Sequence, residues 1–374
     1  MKKDYNVFDY LHWRGDLTFE DAPFNEVDNL ILSMMSFPDY LGIVPSLPSP
    51  ASVSFEYAMD QFLSRQDKSK HLGAIIPDTI IELSELASKT RRFGSLQLTA
   101  YENTVDEEKD MQFAALTIIL PYGKTFVSFR GTDDTIVGWR EDFDLAFTPQ
   151  VNAQYRAVEY LNAVCSIHNG EFYTGGHSKG GNLAVWSVLN APPEVQSRLI
   201  CAYNNDGPGF NTDMTRTAEY KRLNGRIKTV IPESSIVGML LEHDEKYEVI
   251  HSTENFIMQH DPISWAVDRD RFVYVPERSN TGKRSDAAIK KWIASLSKEE
   301  MRLFTENFFK VVDATDAKTL TELNQNKLKN AALMLKAARN MDKETKAAMN
   351  EIVRKLFEKD KKSDDKIYDQ IKES

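Results

Sequence analysis

Hydrophobic residues along this chain recur with two different spacings, and each spacing predicts a different kind of element. From residue 27 the apolar positions follow a helical period, and a candidate N-cap, Asn25, precedes them. Between residues 95 and 130 three β-rich runs follow one another, separated by an acidic turn and by a turn that contains Pro121 and Gly123. Such short connections predict antiparallel pairing of the three strands.

The centre of the chain changes to an alternation of strands and helices. A helix is predicted over 150–168, a short strand begins at Glu171, and a second helical pattern follows from Leu183. Another buried strand begins after Ser197. Strands and helices in alternation are typical of a parallel sheet. The sequence therefore predicts an α/β fold with a mostly parallel sheet.

The composition shifts after Pro276. A polar linker leads into a region rich in Lys, Glu, Ala and Leu with helical spacing, which predicts a C-terminal α-helical extension. We divide the chain into an N-terminal helical segment packed on the core at 1–95, the core at 96–278 and the extension at 279–374.

Composition and charge argue against several classes of protein. The 374 residues carry a formal net charge of −10, whereas proteins that bind nucleic acid show a basic face. The two cysteines, Cys165 and Cys201, lie in apolar segments and are predicted to be buried free thiols. The N-terminus has no apolar leader region, and no run of eighteen apolar residues occurs. We therefore expect a cytoplasmic protein, and no residue pattern indicates a cofactor.

The stretch from Gly175 to Gly181 carries the strongest chemical signal. It contains G-x-S-x-G at residues 176–180, with a predicted strand before it and a helix after it. A serine on so tight a turn is strained, and the residues two before and two after it must lack a Cβ. We expect Ser178 to be a nucleophile and the amide of Lys179 to stabilise an oxyanion. A glycine-rich phosphate loop and a plain packing turn are the alternatives.

A second motif follows the third β-rich run. It consists of FRGT at 129–132, an acidic loop, and Trp139 three residues before Asp142. We call the strand–turn–helix around Ser178 the elbow. Together with the elbow, this pattern resembles the class 3 lipases, a branch of the α/β-hydrolases, and within them an uncharacterised bacterial group. The likeness covers residues 96–275, and it implies an α/β-hydrolase fold for the core.

The resemblance also implies roles for the acidic loop. In the family the residue after FRG supplies the second oxyanion donor, which is Thr132 here, and a lid-like segment begins at Asp133. Independently, a strand that ends in Arg-Gly offers a flexible turn beside the elbow, where a second N–H is needed. The acidic side chains also suggest calcium, but they lack the ligand and glycine pattern of a known loop, so we expect no metal. They are Asp133, Asp134, Asp142 and Asp144.

The resemblance implies that His260 is the general base, since it precedes an aromatic segment as the family's histidine does. Triad order in these hydrolases puts the histidine after the serine, which removes the histidines upstream of the elbow. His243 and His251 also follow the serine and stay as competitors. A purely structural histidine is the alternative for each of the three.

The acid of the triad has no match at its usual place. Where the family carries an aspartate in a D-x-V-P pattern, this chain has residues 235–238, SIVG. The candidates are Asp206, Glu233 and Asp261. Asp206 follows a buried strand just beyond the elbow strand, where the carboxyl ends of parallel strands converge, so we assign the acid to Asp206. Its alternative role is an Asx turn.

These expectations describe a serine hydrolase that cleaves acyl esters through Ser178, His260, Asp206 and an acyl-enzyme intermediate. The resemblance implies a lipid or phospholipid substrate. We expect no nucleic-acid partner, while a transient contact with a membrane surface and the oligomeric state stay open. Two alternatives remain: a catalytically silent protein of this fold that binds a lipid or protein partner, and an interaction protein that works through its helical tail.

Overall fold

A computed structural model describes residues 4–65, 72–73, 76–145 and 148–356. Its strands are β1 (Val53–Ser54), β2 (Gln97–Asp106), β3 (Met111–Ile119), β4 (Thr125–Phe129), β5 (Phe172–His177), β6 (Leu199–Asn205), β7 (Ile227–Pro232), β8 (Tyr247–Ile250), β9 (Val267–Asp268) and β10 (Arg271–Phe272). The strands β1 to β8 form one sheet, in which they lie in chain order. The strands β9 and β10 pair separately.

Pairing in the sheet changes from antiparallel to parallel at β4. The strands β1 to β4 pair antiparallel, and short turns at 107–110 and 120–124 join β2 to β3 and β3 to β4. The strands β4 to β8 are parallel. Longer connections join them, as parallel pairing requires, and those between β4 and β7 contain α-helices. The predicted change from hairpins to a parallel sheet is confirmed.

The helices within the described residues are α1 (Val7–Arg14), α2 (Glu26–Met34), α3 (Phe55–Ser64), α4 (Thr79–Ser88), α5 (Ile136–Leu145), α6 (Asn152–Ile167), α7 (Lys179–Leu189), α8 (Pro193–Gln196), α9 (Thr212–Thr215), α10 (Ala218–Leu223), α11 (Asn280–Ala294), α12 (Lys298–Asp313), α13 (Leu320–Gln325), α14 (Lys327–Asn340) and α15 (Lys343–Leu356). The predicted cap Asn25 begins α2, and its side chain accepts hydrogen bonds from the amides of Val27 and Asp28. No described helix combines the length and apolarity needed to cross a membrane.

Apolar side chains pack on both faces of the sheet. Because side chains alternate along a strand, Phe126 of β4 faces one core cluster and its neighbour Val127 faces the other. The first cluster holds residues of α1 to α4, and the second holds residues of α6 and α7. The sheet is therefore covered by helices on both faces. This packing holds β4 to β7 in place, and with them the loops that follow their carboxyl ends.

Close packing divides the chain into two compact units. The first comprises residues up to Asp286 together with 317–327, which we call the return segment. Within this unit the return segment binds the loop after β4. Leu320 N donates to Asp134 O at 2.9 Å, and Ile136 N donates to Lys318 O at 2.9 Å.

Within the described residues the second unit comprises 287–316 and 328–356. Phe309 and Val312 of α12 are buried in it, as is Ile352 of α15. Trp292 Nε1 donates to Ile352 O at 3.0 Å. The sequence-based division at 278/279 stays a prediction, and its last residues, 357–374, lie outside the described part of the chain.

Candidate active site

Ser178 lies on a tight turn between β5 and α7. Its backbone angles are φ 58° and ψ −134°, a conformation that residues with a side chain seldom adopt. A Cβ on Gly176 would lie 2.3 Å from the carbonyl carbon of Gly180, and one on Gly180 would lie 2.2 Å from Phe129 O. The strand and the helix therefore approach as closely as the motif predicts. With this turn on a mostly parallel sheet, the predicted α/β-hydrolase fold is confirmed.

The loop after β4 lies directly against the elbow. A Cβ on Gly131 would lie 2.7 Å from His177 O and 3.3 Å from the Cβ of Ser178. The backbone that enters Thr132 is thus close to the candidate nucleophile. The Thr132 hydroxyl donates to Asp142 Oδ2 at 2.6 Å. Burial raises the pKa of Asp142 to about 6, against the lowering effect of the Lys179 ammonium.

The other acidic residues of this loop have partners of their own. Asp133 forms an ion pair with Arg130 at 3.0 Å and accepts from Thr135 N. The backbone carbonyl of Asp134 accepts from the return segment. Within the described residues no group of three or more potential ligand side chains comes together around an ion.

The structure brings Asp206 and His260 together. His260 Nδ1 lies 2.7 Å from Asp206 Oδ2. The carboxylate is almost fully buried, with 1% of the Asp206 side chain exposed against 24% of the His260 side chain. Since a carboxylate only accepts, Nδ1 carries the proton and Nε2 is left as an acceptor. Ser178 N donates to Asn205 O at 3.1 Å. Asp206 is the next residue after Asn205, so this backbone hydrogen bond holds Asp206 close to the turn at Ser178.

The segment at the usual place of the acid holds the carboxylate instead of supplying one. Ser235 Oγ donates to Asp206 Oδ1. A Cβ on Gly238 would lie 2.2 Å from the same oxygen, so only glycine leaves room for it. The turn hydrogen bond that follows β6 is made by Asn204, whose Oδ1 accepts from Gly207 N at 2.8 Å.

The remaining candidates have hydrogen-bond partners outside this pair. The alternative acid Glu233 contacts His251 Nδ1 at 2.5 Å. Asp261, the other alternative, accepts from Ile263 N at 3.0 Å in a local turn, and burial raises its pKa. His243 lies 2.9 Å from Glu245 Oε1.

His177 is a part of the site that the sequence did not single out. Its ring packs against that of His260 with centroids 4.5 Å apart and ring planes tilted by 33°, and its Nε2 donates to His260 O at 2.8 Å. Burial, with a smaller contribution from the charge of His260, holds the pKa of His177 well below its usual value. A neutral His177 therefore holds the backbone of His260 and packs against its ring. Its place next to Ser178 in the motif was the available signal.

Comparison with known proteins gives one family match and distant structural ones. No curated protein matches the chain. Matching structures include the Rhizomucor miehei lipase propeptide complex (18% identity, TM-score 0.33, 41% of this chain and 57% of that one), M37 lipase (14%, 0.35, 56% and 68%) and Lip2 lipase from Yarrowia lipolytica (12%, 0.31, 49% and 71%). This chain matches less than two thirds of the length of the Rhizomucor miehei chain. The predicted likeness to a bacterial group stays a prediction. Residues 87–310, more than half of the chain, match the Mbeg1-like family model, so the chain belongs to the Mbeg1-like family.

Proposed function

We propose that this protein is a serine hydrolase of the lipase or esterase type, which cleaves acyl esters with Ser178, His260 and Asp206. The observation that carries the proposal is the 2.7 Å contact between His260 Nδ1 and a buried Asp206, beside a serine held at φ 58°. A strained serine and an oriented histidine are what nucleophilic catalysis of acyl transfer needs.

The reaction follows from the hydrogen-bond roles. Asp206 holds the proton on Nδ1 of His260, so Nε2 takes the proton of the Ser178 hydroxyl as its oxygen attacks the ester carbonyl. The resulting imidazolium gives that proton to the leaving alcohol, and an acyl-enzyme remains. A water molecule, deprotonated by His260, then releases the acid and regenerates Ser178.

The negative charge on the tetrahedral intermediate needs donors. The amide of Lys179 begins α7, where the helix N-terminus also favours negative charge. The amide of Thr132 lies in the loop packed against Ser178. Each such donor contributes roughly 3–4 kcal/mol to stabilisation of the transition state.

We assign a lipid or phospholipid as the ester substrate. The motifs resemble those of class 3 lipases, and three consecutive apolar residues are exposed just before His260: Phe256, Ile257 and Met258. The turn that follows them is anchored, because Gln259 Oε1 accepts from Ser234 N and Gln259 O accepts from Trp265 Nε1. An apolar surface beside the site favours acyl chains and a transient contact with a lipid surface over a small polar ester.

The test is labelling of the full chain by a fluorophosphonate, which reacts preferentially with an activated serine. We expect the wild type to be labelled and Ser178→Ala not to be. Ser166→Ala removes an exposed hydroxyl of α6 and should label like the wild type. A folded wild-type protein that is never labelled would favour the catalytically silent alternative.

A further inference from the structure

The side chain of Lys179 has no role in the mechanism above, yet it is almost entirely buried. Only 1% of it is exposed, and the same holds for its partner Glu141. We propose that the Lys179 ammonium is a positioning group for the oxyanion hole, which links the elbow to the helix that holds Thr132. This inference rests on the proposed function, because it concerns the same site.

All three N–H bonds of the ammonium are used. Lys179 Nζ donates to Gln112 O at 3.0 Å, to Gln112 Oε1 at 2.8 Å and to Glu141 Oε2 at 2.9 Å. Gln112 belongs to β3 and Glu141 to α5. The residue after the nucleophile thus binds both a sheet strand and the helix of the lid-like segment.

Glu141 is fixed from two further directions. Its Oε2 accepts from Gln112 N at 3.2 Å, and its Oε1 accepts from Ala153 N at 2.7 Å. The carboxylate therefore joins β3, the start of α6 and the elbow. Its hydrogen bonds leave little freedom for α5 to move relative to Ser178.

The next residue on α5 completes the link to the second donor. Asp142 Oδ2 accepts from the Thr132 hydroxyl at 2.6 Å, and its Oδ1 lies 4.0 Å from Lys179 Nζ. Two adjacent residues of α5 therefore hold the two residues that supply the proposed oxyanion amides. Glu141 holds Lys179, and Asp142 holds Thr132.

Packing alone does not account for a charged pair here. A buried ion pair is seldom more stabilising than apolar residues of similar volume, whereas it fixes geometry through several hydrogen bonds. The motif needs only the amide of Lys179. The ammonium also offsets one of the two neighbouring carboxylates, Glu141 and Asp142, so that less negative charge faces a developing oxyanion.

The experiment compares Lys179→Met with the double variant Lys179→Met, Glu141→Gln. The single variant leaves a buried carboxylate unpaired and is expected to unfold at a lower temperature. The double variant removes both charges, so its Tm should recover towards that of the wild type. Its kcat on a soluble p-nitrophenyl ester should stay about 10²-fold below wild type with little change in KM, because only transition-state contacts are lost.

A control removes a more exposed ion pair, Arg156 and Glu102, as Arg156→Met, Glu102→Gln. It lies outside the site and should keep kcat. A double variant that regains both Tm and kcat would overturn the proposal.

Amide hydrogen exchange over residues 131–142 gives a second readout that needs no turnover. We expect faster exchange there in the double variant and unchanged exchange in the control. Unchanged exchange in the double variant contradicts the positioning role of Lys179, whereas a wild type without esterase activity contradicts the proposed function.

Discussion

Two histidine–carboxylate pairs in this chain have similar contact distances and different surroundings. His260 and Asp206 lie 2.7 Å apart, and His251 and Glu233 lie 2.5 Å apart. The Asp206 carboxylate is enclosed, whereas 25% of the Glu233 side chain and 34% of the His251 side chain are exposed. The hydrogen bond alone therefore does not single out a catalytic pair.

What separates the two pairs is their position on the sheet. Asp206 directly follows β6, which pairs with the elbow strand β5, while Glu233 follows β7, one strand further away. Asp206 also receives a second hydrogen bond, from Ser235. Asp206 is therefore buried next to His260, on the strand beside the elbow strand. Glu233 lies at a partly exposed surface, one strand further away.

The largest effect is expected from Asp206→Asn. The amide can donate to Nδ1 of His260, which favours the wrong tautomer, and loss of the acid in such a triad lowers kcat about 10⁴-fold. Ester hydrolysis and thermal unfolding, measured together, check this. Near-full turnover with normal stability would show that Asp206 is not the acid.

A third pair, His243 and Glu245, sharpens the comparison because we expect it to act on stability alone. Burial raises the pKa of Glu245, but hydrogen bonds from His243, Thr229 and Tyr220 outweigh burial and lower it to about 2. Because the pKa of Glu245 is lower in the folded protein than in the unfolded chain, its ionised carboxylate stabilises the fold. This stabilisation is fully present above the pKa of the unfolded chain, about 4.5, and is lost as the pH falls towards 2. It amounts to about 3 kcal/mol.

The measurement for this pair is the free energy of unfolding between pH 7 and pH 2.5 for the wild type and Glu245→Gln. The wild type should lose more stability on acidification than the variant, and both should have similar kcat at pH 7. An identical pH dependence in the two proteins would argue against a depressed pKa at Glu245.

The smallest effect is expected from Glu233→Gln. Its partly exposed pair with His251 contributes about 1 kcal/mol or less, and the proposed reaction does not use it, so kcat should stay within about threefold of wild type. If Glu233→Gln lost turnover at unchanged stability while Asp206→Asn kept it, the assignment of the two pairs would be reversed.

The sequence predicts those parts of the site that depend on local structure. The spacing of Gly176, Ser178 and Gly180 encodes the elbow, because strand and helix meet within five residues. Asp206 could be placed from strand order, since the carboxyl ends of neighbouring parallel strands converge. Its role as the acid stays a prediction until the variants are measured.

The other contacts depend on residues that are distant in the chain. Lys179 and Glu141 are 38 residues apart, and a lysine in the motif gives no sign that its side chain points inward. Gly238 fits against Asp206 only once β6 and β7 are paired. Periodicity describes the face that a residue occupies, whereas these contacts depend on how the faces pack.

The return segment determines when the first of the two compact units is completed during synthesis. Thr321, whose amide binds Asp134, is translated 187 residues after it. Domains begin to fold from the N-terminus while the ribosome is still adding residues. A nascent chain that ends before the return segment at 317–327 therefore already contains Ser178, Asp206 and His260, but it lacks the hydrogen bonds from Lys318, Leu320 and Thr321 to the loop beside Thr132. Such a chain carries the candidate nucleophile before the loop that we propose for the oxyanion hole is secured.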